Sequence, residues 1–136
     1  MSSCVFCAIA EGRSPASLVL RDDSACAFLD THPLFKGHVL VVPPRHVETL
    51  GDLDSQALAP FFSSVQRIAR AVEKALAAQG TFVAINNRVS QSVPHLHAHV
   101  VPRTKGDGLK GFFWPRTKYA GDAERDDYAT RIASAL

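Results

Sequence analysis

Apolar residues follow two rhythms along this chain. Leu18-Val19-Leu20 and Ala25-Cys26-Ala27-Phe28-Leu29 are short apolar runs separated by the four polar residues Arg21-Asp22-Asp23-Ser24. Runs of that length around a polar turn predict two strands. Gly37-His38-Val39-Leu40-Val41-Val42 predicts a third, stopped by Pro43-Pro44, because proline cannot donate to a ladder. The rhythm then changes. Leu58, Phe61, Phe62, Val65, Ile68, Ala69, Val72 and Leu76 recur at three- and four-residue spacing, the period of an amphipathic helix. Asp52 or Asp54 is the expected N-cap and Gly80 the expected C-terminal stop. Pro60 removes a hydrogen bond inside that helix, so the helix proper begins near Ala59 or bends early.

Thr81-Phe82-Val83-Ala84-Ile85 returns to strand character, and Asn86 to Ser92 forms a polar loop. Pro94-His95-Leu96-His97-Ala98-His99-Val100-Val101-Pro102 then alternates strictly between histidine and an apolar residue. In a strand, successive side chains point to opposite faces. His95, His97 and His99 are therefore expected on one face and Leu96, Ala98 and Val100 on the other. The stretch from Thr104 to Gly111 is rich in glycine and charge and predicts a mobile loop. Gly111-Phe112-Phe113-Trp114-Pro115 is an aromatic cluster, expected to anchor the tail. Ala123 to Leu136 predicts a terminal helix capped by Asp122, with Tyr128, Ile132 and Leu136 on one face. Short strands with one long helix imply an α+β fold with a mainly antiparallel sheet of about five strands. The expected organisation is a single domain over 1–136 with a C-terminal tail from about 104.

Bulk properties narrow the function classes. The 136 residues are 46% hydrophobic and 21% charged, ordinary globular values. A net charge of +2 gives no argument for nucleic acid or an acidic membrane surface. No apolar run approaches the roughly 20 residues of a membrane span. The N-terminus has no basic region followed by a long apolar stretch, so no secretory signal is expected. Three cysteines do not make a disulfide framework, and a cytoplasmic, reducing compartment is the default.

The chemistry concentrates on the histidines. Half of the six histidines crowd into five residues. A neutral imidazole can act as a nucleophile if its far nitrogen is held by an acceptor, such as a backbone carbonyl. Neighbouring imidazoles can donate to anionic oxygens and stabilise charge on a phosphate. Phosphoryl or nucleotidyl transfer is the natural reading, since such sites work by positioning and anion stabilisation. The spacing also suits a metal site, but no acidic residue lies between Glu73 and His95. His32, before a proline in a loop, is expected at the surface.

These residues carry a resemblance. Gln91-Ser-Val-Pro-His95-Leu-His97-Ala-His99-Val-Val-Pro-Arg103 resembles the signature of the histidine-triad (HIT) superfamily. Upstream, the segment from Cys26 through Asp30, Gly37-His38, Pro43 and His46 is similar to the family's aspartate, Gly-His, strand and Pro-x-x-His segment. The similar segments run roughly from Cys4 to Arg103, about three quarters of the chain. The resemblance implies a HIT-like fold and a nucleotide hydrolase or transferase acting on purine nucleotide conjugates: phosphoramidates, adenylates or dinucleoside polyphosphates. It implies that His97 attacks the α-phosphate, that His99 hydrogen-bonds the phosphate or bridging oxygen, and that His38 supports the triad. Asp30 would accept hydrogen bonds from the ribose. Phe6, Phe28 and Leu29 would wall the base, and Asn86, Asn87, Gln91 and Ser92 match the family's phosphate-side loop. That loop departs from the family in lacking glycine, which lets backbone amides approach a phosphate closely; Arg88 is a candidate substitute. The resemblance also implies a homodimer, with the long helix and an edge strand near the two-fold.

Cys4-Val-Phe-Cys7 is a Cys-x-x-Cys. Two thiolates at that spacing can grip a tetrahedral zinc, which needs two more ligands, and His46 and His95 are the candidates. A branch of the superfamily holds a structural zinc with such a quartet, and the pattern here is similar. A redox pair is the competing use, without its βαβ context. With zinc bound, His95 is a metal ligand and makes no phosphate contact. Cys26, inside a strand, reads as a buried apolar residue.

Overall fold

The computed structural model describes residues 3–109 and 116–136. The expected aromatic cluster Gly111–Pro115 lies outside the described residues. Five strands form one sheet: β1 (Leu18–Arg21), β2 (Cys26–Leu29), β3 (Val39–Val42), β4 (Gly80–Ile85) and β5 (Ala98–Arg103). Their spatial order is β1-β2-β3-β5-β4, and every neighbouring pair is antiparallel. This is the α+β architecture expected from the apolar pattern.

Each face of the sheet is covered by a helix. The long helix α2 (Ser55–Leu76) packs Phe61, Val65, Ile68 and Val72 on Ala27, Val39, Val41, Leu96, Ala98 and Val100. Those sheet residues alternate along their strands, so the expected apolar face of the histidine segment is the face under α2. Phe61 is completely buried there, and a side chain of that kind contributes about 1.5–3 kcal/mol by leaving water. The other face carries Cys26, Phe28, Leu40 and Val42 and is covered by a short helix, α1 (Val5–Ala10), through Phe6 and Ile9. With both faces covered, β3 is buried at all four positions.

The ends of α2 differ from expectation. The helix starts at Ser55, with Asp54 as N-cap accepting from Gln56 N–H at 3.0 Å. Pro60 lies in the second turn, where it withholds one helical hydrogen bond. The carbonyl it leaves without a donor, that of Gln56, belongs to a residue exposed to solvent. Asp52 instead folds back on Thr49, accepting from its hydroxyl at 2.8 Å and its N–H at 3.1 Å. Gly80 does not stop the helix; it opens β4. The stop is Ala77, in the left-handed region at φ 51°. At the C-terminus, α3 (Asp122–Ala133) is capped by Gly121 rather than Asp122, and none of its residues is buried. Tyr128, Ile132 and Leu136 are exposed. Tyr128 instead meets Tyr119, ring to ring at 5.8 Å, and the Arg131 guanidinium 5.0 Å from its ring centre.

Candidate functional site

The face under α1 holds the site. Strand register lines up Phe28 with Leu40 and Leu40 with His99, so these three form one row across β2, β3 and β5. Neighbouring strands are ~4.8 Å apart, which gives the row a fixed spacing. Above it, Phe6 of α1 meets Phe28 edge-on at 5.3 Å and His97 at 5.1 Å. The space between is a cleft of about 550 Å³. Of the residues singled out from sequence, Phe6, Phe28, Leu29, Asp30, Ser92, His97 and His99 line it.

Only His99 of the triad lies in a regular strand, yet the expected alternation persists: His95 and His97 both meet Phe6 on the α1 side, and Leu96, Ala98 and Val100 face α2. Regular pairing begins at Ala98, which faces Val41 and Ile85. Two and three residues earlier, the partner strand has run into Pro43-Pro44, which has no N–H to offer. The Leu96 N–H turns instead to the Val47 carbonyl at 2.7 Å. His95 is completely buried against Cys4, Cys7 and Phe6 and does not line the cleft, while His97, 3% exposed, and His99 face it.

Hydrogen bonds fix the tautomers. His97 Nδ1 is 2.8 Å from the His95 carbonyl, which only accepts, so Nδ1 carries the proton and Nε2 keeps its lone pair. His38 Nδ1 accepts from the Leu34 N–H at 3.1 Å, so the His38 proton is on Nε2. That Nε2–H donates to His99 Nδ1 at 2.9 Å, leaving His99 with a proton on its own Nε2. Asp30, His38 and His99 also place donor atoms within 4.8 Å of one another. The Leu34 N–H decides between a metal group and a relay: with Nε2 protonated, His38 cannot ligate there. Burial pushes His99 down to about 4, with charges on His97 and His38 adding to the shift and Asp30 opposing it. His38 is lowered as well, by burial first, again against Asp30. Both rings are neutral near pH 7.

Asp30 is set by its own turn. Oδ1 accepts from the His32 N–H at 2.9 Å, and Oδ2 lies 3.7 Å from His38 Nε2. The loop residues divide. Ser92 lines the cleft. The Asn86 amide donates to the Ser90 carbonyl, and Asn87 accepts from the Leu50 N–H. Gln91 bonds the Glu48 carbonyl and the Arg88 N–H. These three side chains hold the loop in shape, and none of them lines the cleft. Arg88 carries its charge toward Asp52, whose carboxyl it helps to lower after the two Thr49 hydrogen bonds. Sequence reasoning missed Val5, Ile9, Leu40, Val93 and the Ser14–Ser17 stretch as cleft walls. His32 is exposed, as expected, and also borders the cleft. The alternation of Phe28 and Leu40 in their strands was the available signal for Leu40.

A second cluster adjoins the cleft. Cys4 caps α1, its Sγ accepting from the Cys7 N–H at 3.4 Å. His95 Nδ1 is 3.4 Å from Cys4 Sγ and 3.5 Å from Cys7 Sγ, and His46 Nδ1 is 3.3 Å from Cys7 Sγ. All four donor atoms lie within 4.8 Å of one another. Tetrahedral zinc, with ~2.3 Å to sulfur and ~2.0 Å to nitrogen, has sulfur–nitrogen edges of roughly 3.5 Å. The quartet fits that ion. His95 Nε2–H donates to the Pro43 carbonyl at 3.2 Å, which leaves Nδ1 as the ligating atom.

A covered antiparallel sheet with a nucleophile-ready imidazole over a cleft and a Cys₂His₂ cluster behind it defines a narrow class, and comparisons identify it. The HIT domain family model matches residues 11–106. The uncharacterized HIT-like protein Rv1262c of Mycobacterium tuberculosis is 44% identical over 108 residues, 78% of this chain and 75% of that protein. Adenylylsulfatase HINT3 of Arabidopsis thaliana is 36% identical over 110 residues, 79% of this chain and 56% of its own. The asymmetrical bis(5'-nucleosyl)-tetraphosphatase of Schizosaccharomyces pombe is 38% identical over 89 residues, 64% and 49% of the two chains. Among solved structures, a HIT family member from Bacillus subtilis has a TM-score of 0.88 at 32% identity, covering 99% of this chain and 98% of that one. A Zn-bound histidine triad family protein from Mycobacterium smegmatis has a TM-score of 0.74 at 37% identity, covering 98% of both. The chain belongs to the HIT family, which includes hydrolases. Among the described residues, no helix is long and apolar enough to cross a membrane.

Proposed function

We propose that this protein is a nucleotidyl hydrolase or transferase that attacks the α-phosphate of purine nucleotide conjugates through His97. The observation that carries the reading is the His97 Nδ1–H bond to the His95 carbonyl at 2.8 Å, which leaves Nε2 unprotonated in a ring that lines the cleft. In the first step Nε2 attacks phosphorus, a phosphorus–nitrogen bond forms, and the bond from phosphorus to the leaving group breaks. His99, protonated on Nε2 by its hydrogen bond to His38, donates to the phosphate or bridging oxygen. In the second step a water oxygen attacks phosphorus, the phosphorus–nitrogen bond breaks, and the water's proton goes to solvent as the nucleoside monophosphate leaves. Asp30 accepts from the ribose hydroxyls, and Phe6, Phe28 and Leu29 hold the base. The names of the plant adenylylsulfatase and the fission-yeast tetraphosphatase support adenylates and dinucleoside polyphosphates as substrates.

Cys4, Cys7, His46 and His95 hold a zinc in this reading. Its four donors are all from the protein, and its role is to pin α1 and the His95 segment together. The working protein is a cytoplasmic homodimer. Its proposed interface is the outer edge of β4, where Val83 is 45% exposed, together with the exposed Leu58 and Phe62 of α2.

The test is incubation with adenylyl and guanylyl conjugates, scored by mass spectrometry for a nucleoside-monophosphate adduct. The expected result is an adduct on His97 in the wild type and none in His97→Ala, with turnover reduced at least a thousandfold. Full turnover in His97→Ala would sink the covalent mechanism. Nucleotide binding without any adduct would make the protein a regulatory module.

A further inference from the structure

We infer that His95 is a positioning residue that ties the Cys4/Cys7/His46 cluster to the tautomer of His97. Its consequence for catalysis rests on the reading of His97 as the nucleophile. Every polar group of His95 is engaged. Ring Nδ1 faces both cysteine sulfurs at 3.4 and 3.5 Å, and Nε2–H donates to Pro43 at 3.2 Å. The backbone N–H donates to the Val93 carbonyl at 2.8 Å, and the backbone carbonyl accepts from His97 at 2.8 Å. The ring has no exposed surface, and Phe6 and His46 press on it edge-on at 6.0 and 4.9 Å.

The backbone here is not held by a regular ladder, since β5 begins three residues later at Ala98. The aim of the His95 carbonyl therefore depends on the anchors of the His95 ring and on the Leu96 N–H bond in the same peptide unit. The His95 carbonyl shares a planar peptide unit with the Leu96 N–H, which donates at 2.7 Å to the carbonyl of Val47, the residue after the cluster's His46. A ring gripped by the cluster and by Pro43 keeps the carbonyl pointed at His97 Nδ1. A ring released from the cluster loses one of its two anchors. The carbonyl then no longer holds the His97 proton on Nδ1, and an unconstrained imidazole favours its proton on Nε2. With the proton there, His97 has no lone pair for phosphorus. A site with no direct contact to substrate thus sets the chemical state of the group that has one.

The experiment uses the full chain with ¹⁵N-labelled histidine, loaded with zinc and then stripped with a chelator. Long-range ¹H–¹⁵N spectra read which nitrogen of His97 carries the proton. The loaded protein is expected to show Nδ1 protonated and Nε2 bare. The stripped protein is expected to gain the Nε2-protonated form and to lose at least tenfold in the rate of nucleotidyl-His97 formation. Reloading with cadmium should restore the first pattern. An unchanged His97 pattern in stripped, folded protein overturns the inference. If stripping unfolds the chain, His46→Gln, which removes only the exposed donor, is read in the same way. Unfolding of that variant too would make the cluster a folding element and overturn the positioning role. A loaded protein with the expected tautomer that forms no adduct with any conjugate removes the proposed activity and leaves the coupling supported.

Discussion

His97 and His99 are two residues apart, yet different partners set their rings. A carbonyl holds the first and an imidazole the second, so one presents a lone pair and the other a proton. The second state has a measurable signature in stability. An unfolded imidazole titrates near 6.5, whereas burial holds His99 at about 4. Between those values the unfolded chain binds more protons than the folded one, so stability falls as the pH drops through that window and the loss levels off below about 4. Urea unfolding at fixed pH should show the wild type losing more stability from pH 6.5 to 4 than His99→Gln does. Equal losses would exclude a buried neutral His99. At this scale much was legible: the period of two marked the histidines, and the order of motifs marked Asp30 and His38. What the period could not reveal was the departure from strand at His95 and His97. Its cause lies fifty residues upstream, where Pro43 ends the partner's ladder.

At the scale of elements, apolar spacing was a sound guide to the strands and to α2, and a poor guide to how they end. Gly80 has the right chemistry for a helix stop but belongs to β4, where it pairs with Arg103. Ala77 takes the left-handed turn at φ 51° because the chain must reverse before that pairing begins. An alanine there carries a steric cost that glycine does not. Ala77→Gly is expected to stabilise the fold by about 1 kcal/mol, read as a higher urea midpoint with an unchanged slope. The loop before the triad makes a related point. It has no glycine, yet Arg88 and Ser90 adopt positive φ of 68° and 61°. The Gln91 side chain, accepting from Arg88 N–H at 2.8 Å, holds the turn that glycine would otherwise ease. No local rule assigns a left-handed turn to arginine and serine; the tertiary bond to the Glu48 carbonyl fixes it.

For the molecule as a whole, the helix–sheet–helix arrangement separates tasks. The face under α2 is apolar, and the opposite face carries the cleft and the Cys₂His₂ cluster. The family match ends at residue 106, and α3 beyond it buries nothing, so the expected packing of a terminal apolar face is not made within the described chain. The proposed dimer has its own test. Val83→Arg places a charge at the β4 edge without touching the cleft. It should shift the mass measured by sedimentation from two chains to one while the circular dichroism spectrum stays unchanged. A wild type that sediments as one chain would remove the dimer. The row of Phe28, Leu40 and His99 has a last consequence. Because adjacent strands repeat at ~4.8 Å, backbone pairing rather than side-chain choice sets the gauge between the aromatic wall and the imidazole end, two strand widths away. Altering any one of the three side chains leaves that interval intact, so a ligand with a longer or shorter spacer between ring and phosphorus is out of step however its ends are tuned.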